Sequence, residues 1–356
     1  MWLSKSKQEL NSINLGFEQI RHGGDLQEAI KVYGGQPNEW LDLSTGISPW
    51  TYPIPKFPEK LWRDLPEQSA ALKETAATYY CCYQHHITIA PGSQLAIRLL
   101  PSLVDTKHSV AIPLIGYQEH LHAWRLAGHD IVFYRTTDEL EELSLSSRID
   151  SAVTINPNNP SGATMSPKEL NNIASKLSGL LIVDEAFADI ETGLSIVDKD
   201  LQDNVVVLRS LGKFFGLAGA RIGFVISGHA INRSLHDLLS PWSLSAPSQY
   251  IAERALGDNN WQEFQKKRAM KQSSQISKYL NLNLSKITQQ KIEIKSTGLF
   301  NSVFSESRLI EHFHNKLAEQ KIWSRIGDKE NDTNWLRLGL AGNEINRLRN
   351  VIESIC

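Results

Sequence analysis

"SAVTINPNNPSGATMSPKELNNIASKLSGLLIVDEAF", residues 151–187, is the stretch on which the fold turns. It opens with a short β-branched apolar run and breaks at "NPNNPSG", where proline, asparagine and glycine favour turns. Ser166 and Pro167 then make a helix start, and Gly179 makes its stop. A second apolar run, "LLIVDEA", carries Asp184 near its end. Strand, helix and strand in that order read as one crossover unit of a parallel sheet.

The same alternation extends outward from residue 85 to residue 228. "HITIA", "HSVAIPL", "DIVFY", "VVVLRS" and "RIGFVIS" are further strand candidates, with helices at "SQLAIRLLPSLV" and "EHLHAWRLAG". This is the pattern of an α/β domain whose mostly parallel sheet is covered on both faces. Residues 1–45 differ: an early helix, "GDLQEAIKVYG", leads towards the Pro-rich "SPWTYPIPKFPEK", a composition that suggests an arm lying across the core. After about residue 245 the chain turns helical and lysine-rich up to Lys291, then returns to short strands at "IEIK", "LFNSVF" and "WLRLGL". The expected organisation is an arm over 1–45, a large domain over 46–245 and a smaller α+β domain over 246–356.

With 356 residues, 41% of them hydrophobic, the chain can bury a large core. Its 37 basic and 39 acidic residues leave a net charge of -2, so nothing in the overall balance attracts nucleic acid or an anionic membrane. Three cysteines, Cys81, Cys82 and Cys356, make no disulfide framework and no zinc-ligand spacing, so a reducing, cytoplasmic setting without a metal site is expected. The amino-terminal "MWLSKSKQEL" lacks an apolar core of signal length, and no apolar run of about eighteen residues occurs, so neither export nor a membrane span is expected.

Polar residues stand at the ends of three predicted strands. Asn156 follows "SAVTI", Asp184 ends its own run, and Lys213 follows "VVVLRS"; the intervals are 28 and 29 positions, each about one crossover unit. Carboxyl ends of parallel strands lie along one sheet edge, where ligands bind, so asparagine, aspartate and lysine should converge there.

The lysine sits in "SLGKFFGLAGAR", residues 210–221, between Ser210 and Arg221. A covalently bound pyridoxal 5'-phosphate accounts for this set. Its aldehyde needs an amine, supplied by Lys213, and its pyridine nitrogen needs a carboxylate that keeps it protonated, supplied by Asp184. Asn159 could donate to the phenolic oxygen. Ser210, Arg221 and the strand-to-helix turn at Gly92, Ser93 and Gln94 suit the phosphate, and Tyr117 suits the ring face. Taken singly, each residue has a plainer reading, as surface lysine, turn asparagine, helix cap or packed tyrosine; their joint order and spacing carry the argument.

At these blocks, "NPNNPSG", "VDEAF" and "SLGKFFGLAGARIGF", the chain resembles the fold-type-I pyridoxal-phosphate enzymes of the aspartate aminotransferase superfamily. The resemblance runs from about residue 20 to residue 345. It implies a large domain with a mostly parallel sheet and a smaller α+β carboxyl-terminal domain, a Schiff-base lysine at Lys213, the other cofactor roles just given, and a homodimer. Within that superfamily "RHGGDLQEAIKVYG" and "WLDLSTGISPW" are similar to the threonine-phosphate decarboxylases of cobalamin biosynthesis, relatives of histidinol-phosphate aminotransferase. This implies an amino-acid phosphate substrate, L-threonine O-3-phosphate, and loss of carbon dioxide to give (R)-1-amino-2-propanol O-2-phosphate, with a cobinamide-phosphate synthase as a downstream partner. It also implies substrate contacts at His22, Thr45, Gly46, Arg325 and Arg337. Two anionic ends call for more than one fixed cation, and a guanidinium fork suits both; which arginine takes which end is open.

Two positions depart from the family pattern. Phe187 stands where many relatives carry a tyrosine that donates to the phenolic oxygen, and Leu65 where many carry a tyrosine reaching the neighbouring subunit's phosphate. Decarboxylation and transamination differ in which bond at Cα is held perpendicular to the ring, which is a matter of substrate placement. A histidinol-phosphate-type aminotransferase is therefore the first alternative, and a non-catalytic assembly partner in cobalamin synthesis the second.

Overall fold

The computed structural model describes residues 23–104, 108–287, 292–327 and 334–355. Their strands are β1 Leu41–Asp42, β2 Ile87–Ala90, β3 Ser109–Pro113, β4 Asp130–Tyr134, β5 Ser151–Ile155, β6 Leu181–Asp184, β7 Val205–Ser210, β8 Gly223–Ser227, β9 Glu293–Ser296, β10 Phe300–Ser305, β11 Ile322–Trp323, β12 Arg325–Ile326 and β13 Asn334–Gly339. The chain divides into two units: Ile47–Lys271, and the residues up to Gly46 together with those from Gln272 onward.

In the first unit seven strands form one sheet in the order β2-β8-β7-β6-β5-β3-β4. β3 to β7 run parallel, while β8 lies antiparallel to both β7 and β2. Strands β5 and β6 are buried at every position and β7 at all but its last, which is why they read as unbroken apolar runs rather than alternating ones. Ile97, Leu121 and Trp124 of the covering helices pack on Ile112, Val153, Ile182, Val206 and Leu208. Each such side chain contributes roughly 1.5–3 kcal/mol on leaving water.

The crossover helix is Pro167–Ala174. Ser166 Oγ accepts from the Glu169 amide while Glu169 accepts from the Ser166 amide, a reciprocal cap worth about 1 kcal/mol. The helix ends five residues before the expected stop at Gly179. That glycine instead meets the sheet: its amide donates to Asp150, and a Cβ there would lie 2.3 Å from Ser151 Oγ.

The second unit holds an antiparallel sheet, β12-β13-β10-β9, and a parallel pair, β1 with β11. The helices Ser307–Glu319 and Ile345–Ile355 bury Ile310, Phe313, Leu317, Leu348 and Ile352. Here the structure departs from the three-part organisation expected from sequence. Residues 23–46 belong with the carboxyl-terminal part, because β1 pairs with β11, and Trp40 sits edge-on to Trp323 at 6.2 Å beside Ala29 and Ala318. The later boundary falls at 271/272 rather than 245/246. It lies inside the unbroken helix Asn259–Ile287, where no turn residue marks it.

Among the described residues no helix is long and apolar enough to cross a membrane.

Candidate active site

The strands β5, β6 and β7, at whose carboxyl ends these polar residues stand, lie side by side. Ile155 is in register with Asp184, and Asp184 with Leu208. Asp184 is only 4% exposed. One of its oxygens accepts from the Ala186 amide at 3.0 Å, and the other lies 3.0 Å from His120 Nε2. His120, itself buried, is the residue that the sequence reading missed. It stands three positions after Tyr117 on the helix Gln118–Leu126, and the two rings are 6.2 Å apart at 82°. Tyr117 is the residue that caps this helix, so the two rings meet at its amino-terminal end.

The "NPNNPSG" loop sorts its asparagines by task. Asn156 donates to the carbonyls of Met165 and Leu194 and accepts from the Met165 amide. Asn158 donates to Ile115 O and accepts from Ser161 N. Both are buried and hold the loop's framework, whereas Asn159 is half-buried between two cis prolyl bonds, Asn156–Pro157 and Asn159–Pro160.

Arg221 is exposed and adopts the left-handed conformation, φ 51° and ψ 53°, with Nη1 donating to Ala218 O at 3.1 Å. Its guanidinium lies against the turn before the helix Ser93–Leu99: a Cβ on Gly92, where φ is +81°, would fall 2.7 Å from Arg221 Nη2. Gly223 is equally constrained, since a Cβ there would lie 2.6 Å from the Ser93 amide. Two glycines thus let a cation, a strand and a helix start approach closely. Ser210 Oγ accepts from Gly212 N at 3.2 Å, one turn before the half-buried Lys213.

Tyr117 is fixed by a chain of partners. Its hydroxyl donates to Gln94 Oε1 at 2.9 Å, Gln94 Nε2 donates to Glu119 at 2.6 Å, and Glu119 pairs with Arg98 at 2.7 Å. Burial first, then the charges of Glu119 and Asp184, push the Tyr117 phenol above its usual pKa, against the opposite pull of Arg221 and Arg98. It therefore stays protonated.

At Phe187 the missing hydroxyl is replaced by a different contact. Lys213 Nζ lies 5.3 Å from the centre of the buried Phe187 ring, within reach of a cation–π interaction. Leu65 is 68% exposed. Beneath the site Arg209, fully buried, bridges Glu185 and Asp189 at 2.6 Å each, and Tyr79 donates to Asp189. This network holds the β6 end that carries Asp184 to the β7 end that carries Ser210.

The other unit carries four of the five expected substrate residues; His22 lies outside the described residues. Arg337 on β13 is directly opposite Arg325 on β12. It is 5% exposed, so its side chain is turned away from solvent. Its guanidinium donates to the Ser44 carbonyl and lies over the Phe300 ring at 5.5 Å, so Arg337 adjoins the segment containing Thr45 and Gly46. Burial, and then Arg325, press the Arg337 pKa down to about 9, with Asp42 opposing. Two like charges facing across a strand pair destabilise the sheet, so the pair is suited to an anion that neutralises both. His314, hydrogen-bonded through Nδ1 to Ser324 Oγ at 2.7 Å, has its pKa lowered to about 4 by burial and by Arg325.

A mostly parallel sheet with a lysine, an aspartate and an asparagine at adjacent strand ends defines the class, and the sequence profile of aminotransferases of class I and II matches residues 64–355. The chain belongs to that family. Among curated relatives it is 34% identical to the threonine-phosphate decarboxylase of Pseudomonas aeruginosa, over 90% of this chain and 97% of that one. It is 36% identical to the threonine-phosphate decarboxylase of a Sinorhizobium species, over 90% and 93%. Identity to the histidinol-phosphate aminotransferase of Geotalea uraniireducens is 25%, over 84% and 92%. In three dimensions it matches histidinol-phosphate aminotransferase from Sinorhizobium meliloti with a TM-score of 0.73 at 17% identity, over 99% of both chains. It matches L-threonine-O-3-phosphate decarboxylase from Porphyromonas gingivalis with a TM-score of 0.69 at 18% identity, over 88% of this chain and 98% of that one.

Proposed function

We propose that this chain is a pyridoxal-phosphate-dependent carboxy-lyase that converts L-threonine O-3-phosphate to (R)-1-amino-2-propanol O-2-phosphate and carbon dioxide, for the nucleotide loop of cobalamin. The observation that carries the choice of reaction is the higher similarity to decarboxylases, 34% and 36%, than to the transferase, 25%, at comparable coverage.

The residues fit the cofactor. A buried carboxylate with both oxygens already oriented suits a protonated ring nitrogen, and a half-buried lysine facing an aromatic ring suits the aldehyde. The glycine cradle under Arg221, at Gly92, suits a phosphate group that needs close backbone approach. In this reading Lys213 anchors the cofactor, Asp184 meets its ring nitrogen, Asn159 its phenolic oxygen, and Tyr117 its face. Gly92, Ser93, Gln94, Ser210 and Arg221 hold its phosphate. The cofactor supplies an electron sink for the pair left at Cα when carbon dioxide departs.

The protein's own part is placement and proton delivery. Arg325 and Arg337, with Thr45, Gly46 and His22, bind the substrate's carboxylate and phosphate. Holding the distant phosphate fixes which bond at Cα is labile, so binding energy far from the reacting carbon selects decarboxylation. Lys213 Nζ carries the proton that replaces the carboxylate at Cα. We further infer a cytoplasmic homodimer whose product passes to a cobinamide-phosphate synthase.

Supplying L-threonine O-3-phosphate alone should yield aminopropanol phosphate, identified by mass spectrometry. Amino transfer from histidinol phosphate to a keto acid, with threonine phosphate inert, would support the transferase instead.

A further inference from the structure

The turn that carries Lys213 is held by its carbonyls. Ser48 N donates to Lys213 O at 2.9 Å, Gln265 Nε2 to Phe214 O at 2.9 Å, and Tyr52 N to Phe215 O at 2.8 Å. Two of these donors come from the loop after residue 47 and the third from the long helix Asn259–Ile287. Gly216, with φ +64°, lets that loop close in: a Cβ there would lie 2.9 Å from Thr51 Cα.

Gln265 has no solvent exposure. Its Nε2 also donates to Ser48 Oγ at 2.6 Å, and its Oε1 accepts from Arg268 Nε at 2.5 Å. A guanidinium only donates, so Arg268 settles which end of the amide is oxygen and directs both Nε2 hydrogens to the lysine turn and its loop. Arg268 is itself fixed, with its guanidinium carbon 4.7 Å from the Trp50 ring centre, 4.9 Å from Phe264 and 5.7 Å from Trp261. Trp261 in turn stacks on Phe215 at 5.6 Å and 11°.

We propose that Gln265, oriented by Arg268, is a positioning residue for Lys213. A lysine side chain is a flexible stem, so where its amine can work depends on how firmly its backbone is set. The Phe214 carbonyl belongs to the peptide unit next to the Lys213 one. Releasing it lets the turn rotate and moves the base of the lysine. The inference rests on Lys213 being the reacting amine, as proposed above.

The full-length protein tests it with three variants. Gln265→Met keeps length and burial but neither donates nor accepts, Gln265→Glu keeps only the acceptor for Arg268, and Arg268→Leu keeps an apolar stem among the rings and releases the amide. In cofactor-free protein, acetylation of Lys213 relative to exposed Lys278 is followed by peptide mass spectrometry across pH. In cofactor-loaded protein, kcat and KM for carbon dioxide release are measured alongside thermal unfolding. We expect the relative reactivity and pH midpoint of Lys213 to change in all three variants. We also expect kcat to fall about 10- to 100-fold with KM nearly constant, as for a small misplacement of a reacting group. Arg268→Lys, which keeps a donor, should recover most of the loss.

An unchanged Lys213 profile and kcat in Gln265→Met and Arg268→Leu, with only the melting temperature lowered, would overturn the proposal. If Gln265→Met does not fold, Arg268→Leu decides the matter. Should the wild type release no carbon dioxide, the functional reading fails, and the acetylation profiles still decide the positioning claim.

Discussion

His120 Nε2 and Asp184 Oδ2 face each other at 3.0 Å in a region almost closed to solvent. An ionised carboxylate can only accept, so the imidazole donates to one oxygen while the Ala186 amide donates to the other. The carboxylate is thereby aimed. Asp184→Asn keeps the shape and removes the charge, and is expected to lower kcat by about 10²–10³-fold, the range for losing one fixed electrostatic partner. His120→Ala keeps the charge and loses the aim; a loss of roughly 10- to 100-fold is expected. Steady-state kinetics on both variants checks the order, and equal losses would argue against a purely orienting role for His120.

Gly92→Ala should act through Arg221. The new Cβ would fall 2.7 Å from the guanidinium, on a backbone at φ +81° that L residues rarely adopt. Strain of about 1–3 kcal/mol at Gly92, whose φ of 81° and ψ of 153° are essentially confined to glycine, together with a displaced cation, should weaken pyridoxal phosphate binding about tenfold or more. Titration of cofactor-free protein with pyridoxal phosphate measures it. Undiminished affinity would remove Arg221 from the phosphate.

Arg337→Lys retains the charge and loses the fork. Because Arg337 is buried and opposed by Arg325, the shorter, point-like cation cannot span the same acceptors. The expected result is a fall in kcat/KM of about 10²-fold, or 2.7 kcal/mol at 1.36 kcal/mol per decade. An effect confined to thermal stability would mark the residue as structural.

His314 predicts a pH effect with a definite sign. Its pKa is about 4 in the folded protein against 6.5 in the unfolded chain, so between these values the unfolded chain binds a proton that the folded one does not. Stability contributed here is present above pH 6.5 and is lost as pH falls towards 4, about 3 kcal/mol in all. Denaturation of wild type and His314→Gln at a series of pH values should show a shallower acid loss in the variant. Parallel curves would contradict it.

Much of this was legible in sequence because the sheet is buried on both faces and its strands read as apolar runs ending on polar groups. Asn156, Asp184 and Lys213 stand at intervals set by crossover length, and intervals survive in one dimension. Four features are not of that kind. The strands β1, β11 and β12 are two residues long, too short for any period to register. The unit boundary lies within a continuous helix, and the pairing that joins residues 23–46 to the carboxyl-terminal part is a contact between distant segments. His120 reaches Asp184 across 64 positions, and a histidine on a helix otherwise reads as an ordinary helix face.

The central claim is that Lys213 serves a decarboxylation. Cofactor-loaded protein would be mixed with L-threonine O-3-phosphate and no keto acid, while carbon dioxide and the cofactor's visible spectrum are followed together, beside Lys213→Ala. The account predicts many turnovers of carbon dioxide per active site, a cofactor that returns to its starting spectrum, and no turnover in the variant. Conversion of the cofactor to its pyridoxamine form without carbon dioxide would contradict it and make the enzyme a transferase.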